Sequence, residues 1–115
     1  MFKRGPITTH VLDVSLGKPA QGIECRLEKL ADGQNWKEVG KAVTNSDGRI
    51  ENFADFSLSE GTYRIEFLTK TYFIHKNTPS FYPSVTVVFE IQDRNSHYHV
   101  PLLLSPFGYS TYRGS

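Results

Sequence analysis

Gly22-Ile23-Glu24-Cys25-Arg26-Leu27-Glu28-Lys29-Leu30 is the stretch on which the fold turns. Ile23, Cys25 and Leu27 alternate with Glu24, Arg26 and Glu28, and a period of two puts the apolar set on one face of a strand and the charges on the other. Asp32-Gly33 follows as a hairpin turn, since glycine accepts positive φ, and Trp36-Lys37-Glu38-Val39 with Lys41-Ala42-Val43-Thr44 reads as the returning strand. Upstream, Ile7-Thr8-Thr9-His10-Val11-Leu12-Asp13-Val14 is β-rich and stops at the turn Gly17-Lys18-Pro19. Downstream, Asn45-Ser46-Asp47-Gly48 is a second turn that delivers Arg49 directly after it. Thr62 to Phe67 alternates again with Tyr63, Ile65 and Phe67 on one face, Val85 to Ile91 is β-branched, and Tyr98 to Leu104 is the last long apolar strand. Only Lys70 to Lys76 reads as a helix, about two turns long. The pattern predicts an all-β, antiparallel β-sandwich of seven or eight strands with one short helix.

At 115 residues, with no linker, repeat or low-complexity segment, residues 1–115 are expected to form a single domain. The formal net charge is +1 and Lys and Arg are scattered, so neither nucleic acid nor an anionic membrane is an expected partner. No apolar run approaches the roughly 20 residues of a membrane span, and Met1-Phe2-Lys3-Arg4-Gly5-Pro6 lacks the apolar stretch of a signal peptide. Cys25 is alone and forms no internal disulfide. These features fit a cytoplasmic protein, although a leader cleaved from a longer precursor would leave no trace. His97 and His99 have no thiol or carboxylate close by in sequence, so no metal is expected.

The candidate chemistry lies near both ends of the chain. His10 shares its strand face with Thr8, Leu12 and Val14, while Thr9, Val11 and Asp13 face the other way. On the last apolar strand Tyr98, Val100, Leu102 and Leu104 form an all-apolar face suited to the interior. His97, His99, Pro101 and Leu103 form an outer face too apolar for open solvent, which suits a partner surface. The histidines read either as hydrogen-bonded interface residues or as general acid–base groups, since imidazole titrates near neutral pH. Arg49 reads as solvated unless the fold brings it to the histidines, and His75 reads as a surface residue of the helix. The chain closes on Tyr112-Arg113-Gly114-Ser115, where a bare tail is the norm; Gly114 is expected to let the backbone turn sharply. No Gly-x-Ser-x-Gly elbow, phosphate loop or carboxylate pair appears, which leaves water activated by histidine, with arginine stabilising negative charge.

Thr8-Thr9-His10-Val11-Leu12-Asp13, Gly17-Lys18-Pro19-Ala20, Asn45-Ser46-Asp47-Gly48-Arg49, His97-Tyr98-His99-Val100-Pro101-Leu102-Leu103-Leu104-Ser105-Pro106 and the terminal Tyr112-Arg113-Gly114-Ser115 together resemble the 5-hydroxyisourate hydrolases, the transthyretin-related enzymes of purine breakdown. The resemblance spans essentially the whole chain and implies a transthyretin-like sandwich assembled as a homotetramer, a dimer of dimers, with its sites where two dimers meet. It implies hydrolysis of 5-hydroxyisourate to 2-oxo-4-hydroxy-4-carboxy-5-ureidoimidazoline without a cofactor. The family's catalytic residues fall on His10, Arg49 and His99, and its substrate-binding tetrapeptide on Tyr112, Arg113, Gly114 and Ser115. His97 is expected to act from behind His99. Transthyretin shares the Leu-Leu-Ser-Pro stretch but lacks these histidines, the arginine and the tetrapeptide. A transthyretin-like carrier of a small aromatic ligand is therefore the alternative.

Overall fold

The computed structural model describes residues 5–53 and 58–115. Its strands are β1 (Ile7–Asp13), β2 (Lys18–Pro19), β3 (Glu24–Asp32), β4 (Asn35–Val43), β5 (Arg49–Ile50), β6 (Gly61–Phe67), β7 (Val85–Ile91), β8 (Tyr98–Ser105) and β9 (Gly108–Thr111). The single helix among the described residues, α1 (Thr69–His75), begins one residue earlier than its sequence pattern suggested. One sheet runs β2-β1-β8-β9, with β5 also paired to β1, and the other runs β4-β3-β6-β7. β2 and β5 are two residues each, and β9, which the sequence pattern did not mark, makes nine strands among the described residues where seven or eight were expected; the other six are the strands read from the sequence.

The inward faces follow the period of two. Ile23, Cys25 and Leu27 of the β3 segment are fully buried, as are Ile65 and Phe67 of β6, and they meet Val11, Leu102 and Leu104 from the other sheet in one apolar core. Burial also pushes the Cys25 thiol pKa well above its ordinary value, which makes it a packing residue, not a nucleophile. Asp13 is the charged exception on the inward face of β1, 1% exposed. Its carboxylate accepts from Ser15 N at 3.0 Å and from the Tyr72 hydroxyl at 2.7 Å, which ties the end of β1 to α1. A buried carboxylate with such donors does not carry the full penalty of desolvation.

One pairing departs from the antiparallel expectation. β1 and β8 run parallel, from Ile7↔Tyr98 to Asp13↔Leu104, whereas the other described pairings are antiparallel. A hairpin forces antiparallel pairing, but no hairpin joins β1 to β8, and strands connected through most of the chain are free to run the same way. This pairing carries the site, because it sets the two histidine-bearing strands side by side.

Candidate active site

Register builds the site. His10 stands opposite Arg49 on β5 and opposite Pro101 on β8, so these three residues form one row across the sheet. Thr8 stands opposite His99, and His99 is bridged to Gly114 of the C-terminal tail, giving a second row two residues along. Residues paired across strands share a face, so His10, Arg49, His99 and Gly114 lie on one side of the sheet. His10 and His99 are diagonal neighbours, with backbones roughly 7–8 Å apart, a gap two side chains can bridge with a small substrate between them.

The turn before β5 explains why Arg49 arrives there. Asn45 Oδ1 accepts from the backbone N–H groups of Asp47 at 2.9 Å and Arg49 at 3.0 Å, and Gly48 N donates to Asn45 O at 2.8 Å. Gly48 has φ of 73°, and a Cβ there would come within 2.5 Å of the Val11 carbonyl oxygen. Only glycine fits both the left-handed backbone and the contact. The Gly48 carbonyl in turn accepts from Val11 N at 2.7 Å, locking the turn to β1 directly beside His10.

The same turn sets the chemistry of His10. Its pKa is lowered, first by burial and next by the positive charge of Arg49; a hydrogen bond to the Asp47 backbone carbonyl and the charges of Asp47 and Glu51 pull the other way. The imidazole is thus held neutral, with one ring N–H engaged by a carbonyl. Arg49 also lies 3.9 Å from Glu51 Oε1, and the arginine side chain is 46% exposed. That ion pair is long and solvent-screened, so it holds the guanidinium weakly. A shallow hollow of about 420 Å³ opens beside it, lined by Asn45, Asp47, Arg49 and Glu51.

The tail packs along β8 in continuous register. Thr111 pairs with Leu102, and the next bridge is Gly114 with His99, with Gly114 N donating to His99 O at 2.9 Å. The same register sets Tyr112 beside Pro101 and Arg113 beside Val100. Proline has no N–H to contribute to the ladder, which accounts for the gap between the two pairings. Gly114 is not among the glycines with positive φ. The expected sharp turn is therefore absent, and close approach is the reason for glycine: a Cβ at Gly114 would sit 2.5 Å from His99 Cδ2 and 3.2 Å from Pro101 Cγ.

Arg113 does not join the histidine rings. Its guanidinium stacks 4.4 Å from the Tyr98 ring centroid and donates to the His97 carbonyl oxygen at 3.3 Å. It fastens the tail to β8. Tyr112 is 58% exposed and Ser115 is exposed at the end of the tail. A more enclosed hollow of about 220 Å³, bordered by Val88, Phe89, Tyr98, Tyr112 and Arg113, lies between β7 and the tail, away from His10 and Arg49. Among the described residues no group of three or more His, Cys, Asp and Glu could hold a metal ion. His75 is exposed at the end of α1. The sequence pattern had passed over Thr8 and Asn45. The alternation on β1 was signal enough for Thr8, which shares the face of His10.

Residues 7–114 match the HIUase/transthyretin family. The chain belongs to that family. It is 49% identical over 110 residues to a probable 5-hydroxyisourate hydrolase of Caenorhabditis elegans, a match covering 95% of this chain and 81% of that protein. Among solved structures, the 5-hydroxyisourate hydrolase of Klebsiella pneumoniae superposes with a TM-score of 0.85 at 34% identity, covering 96% of this chain and all of that one. Sea bream transthyretin in complex with thyroxine gives a TM-score of 0.89 at 30% identity, covering 96% of this chain and 95% of that one. Backbone likeness thus extends to both branches of the HIUase/transthyretin family. What separates the branches must be side chains.

Proposed function

We propose that this chain hydrolyses 5-hydroxyisourate to 2-oxo-4-hydroxy-4-carboxy-5-ureidoimidazoline, with water as the nucleophile. The observation that carries the reading is the shared face of Arg49, His10 and His99, with Gly114 packed against His99. His10 is the base. It is held neutral, one nitrogen is committed to the Asp47 carbonyl, and the other has its lone pair for a proton of water. The hydroxide adds to a ring carbonyl, and the planar, permanently charged guanidinium of Arg49 stabilises the oxyanion. The C–N bond then breaks, its electron pair goes to the ring nitrogen, and that nitrogen takes the proton His10 removed from water, with His99 hydrogen-bonded to it. Tyr112 and Ser115 are assigned to the polar rim of the heterocycle, and Arg113 to holding the tail. These side chains and water supply every proton and charge the reaction requires.

The active assembly in this reading is a homotetramer, a dimer of dimers. β9 and β7 end their sheets, and Val88 on β7, Tyr109 on β9, and Phe81 and Phe107 in the loops are exposed apolar residues that a partner would cover. Leu103 is half-buried on the histidine face of β8, where a second dimer would close the site. The likeness to thyroxine-bound transthyretin favours one other reading, a carrier of a small aromatic ligand. Absorbance of freshly generated 5-hydroxyisourate, followed with and without the protein, separates them. Hydrolysis predicts accelerated decay; unchanged decay with saturable binding would hand the chain to the carrier class.

A further inference from the structure

Thr8 is 2% exposed and stands opposite His99 in the β1–β8 register. Its Oγ1 lies 2.7 Å from His99 Nδ1 and 3.2 Å from His97 Nε2. The two imidazoles run nearly parallel, 15° between planes with centroids 6.4 Å apart, so one hydroxyl bridges both rings. A hydroxyl carries one proton. Between two imidazole nitrogens it donates to one and accepts from the other. The shorter contact fits an O–H donor, and the longer one lies at the upper end for N–H donation to oxygen.

We propose that Thr8 is a positioning residue that sets the tautomer of His99: its hydroxyl donates to Nδ1, so the neutral ring carries its proton on Nε2. His97 completes the chain by donating Nε2–H to Thr8 Oγ1, which orients the hydroxyl. This deepens, and rests on, the division of roles above. With His10 as base and carrier of the water proton, the leaving nitrogen needs a hydrogen-bond donor as its electron pair develops, and only an N–H across the ring from Thr8 lets the neutral His99 supply one. The opposite polarity would put a lone pair there, facing the electron pair of the leaving nitrogen with no donor. It also gives His97 a definite task, as the residue that aims the hydroxyl.

Long-range nitrogen–proton correlation spectra of the labelled imidazoles report the tautomer in the free protein, with no substrate present. Wild type and Thr8→Ser are expected to hold His99 with its proton on Nε2, and Thr8→Val, which keeps the shape and removes the hydroxyl, to show a mixture. Partners that orient a functional histidine are commonly worth roughly ten- to a hundredfold, so kcat for Thr8→Val should fall by about that factor with KM nearly unchanged, and Thr8→Ser should recover most of it. If Thr8→Val does not fold, Thr8→Ala and the wild-type spectrum carry the comparison. A proton on Nδ1 of His99 in wild type, or full kcat without the hydroxyl, overturns the assignment. An intact Nε2–H tautomer in a protein that leaves 5-hydroxyisourate untouched would instead sink the substrate reading and spare the tautomer.

Discussion

Consider replacing Gly114 by alanine. The new Cβ would stand 2.5 Å from His99 Cδ2 and 3.2 Å from Pro101 Cγ, whereas carbon atoms in contact settle about 3.5–4.0 Å apart. Either the tail lifts or the His99 ring turns, by about 1–1.5 Å on that difference. Lifting the tail stretches the Gly114 N to His99 O hydrogen bond, 2.9 Å long, past its useful range. Losing it costs about 0.5–1.5 kcal/mol, or about 2–6 °C of Tm for a chain this size. Turning the ring instead pulls Nδ1 from Thr8, 2.7 Å away. Both routes displace the His99 ring, and a misplacement of about 1 Å commonly costs on the order of a hundredfold in rate. The expected result is a protein that melts no more than about 6 °C below wild type and hydrolyses fresh substrate about a hundred times more slowly. Initial rates beside a calorimetric scan measure both. Activity within about threefold of wild type would show that the tail does not discipline His99.

Other perturbations read other parts of the site. His10→Ala and His99→Ala should each lower turnover by about 10²–10⁴-fold in a folded tetramer, and Arg49→Ala should also lower it strongly; near-normal turnover in any of them removes that residue from the mechanism. Arg49→Gln should raise the His10 midpoint in an NMR titration only part of the way to its ordinary value, because burial, the larger cause of the depression, stays in place. The depressed pKa also means that the unfolded chain takes up the His10 proton first on acidification. Stability from this group is full above its ordinary pKa and is lost as pH falls through the lowered one, so acid melts should move in that direction in wild type and less in Arg49→Gln. Leu103→Asp places a charge on the histidine face of β8 and should weaken the tetramer together with activity; a dimer in the ultracentrifuge with full activity would end the interface site.

Periodicity made the fold legible because most strands here are half-buried, and half-burial writes itself into alternation: Ile23, Cys25 and Leu27 against Glu24, Arg26 and Glu28. The direction of β1 against β8 was not legible, since side-chain alternation is the same in parallel and antiparallel pairs and only a short connection betrays the difference. Arg49 shows the same limit. Asn45-Ser46-Asp47-Gly48 announces a turn, but nothing local says that its exit strand of two residues lands opposite His10. Gly114 was legible as a special residue for the wrong reason. A glycine in sequence does not reveal whether it serves a turn or a close approach, and here the ring of His99 decides. The bridge from Thr8 to two imidazoles needed the register of two distant strands, so it could be seen only in three dimensions.

The distribution of these residues over the two faces of the sheet explains how one backbone serves two branches of a family. Thr9, Val11, Val100, Leu102 and Leu104 face the core and are all less than a tenth exposed, so volume and burial constrain them. His10, Arg49, His97 and His99 lie on the outer face, half-buried or exposed, and contribute nothing to that core. Exchanging such residues leaves the packing intact, and surface changes away from caps and strained positions typically shift stability by about half a kcal/mol or less. Chemistry on this scaffold can therefore be gained or lost without rebuilding it, which agrees with TM-scores of 0.85 and 0.89 to a hydrolase and to a thyroxine-bound transthyretin. The expected consequence is measurable. The double variant His10→Lys and His99→Val should keep a melting temperature within a few degrees of wild type while losing hydrolysis. A collapse of the fold instead would mean that the outer face carries stability that the burial pattern does not reveal.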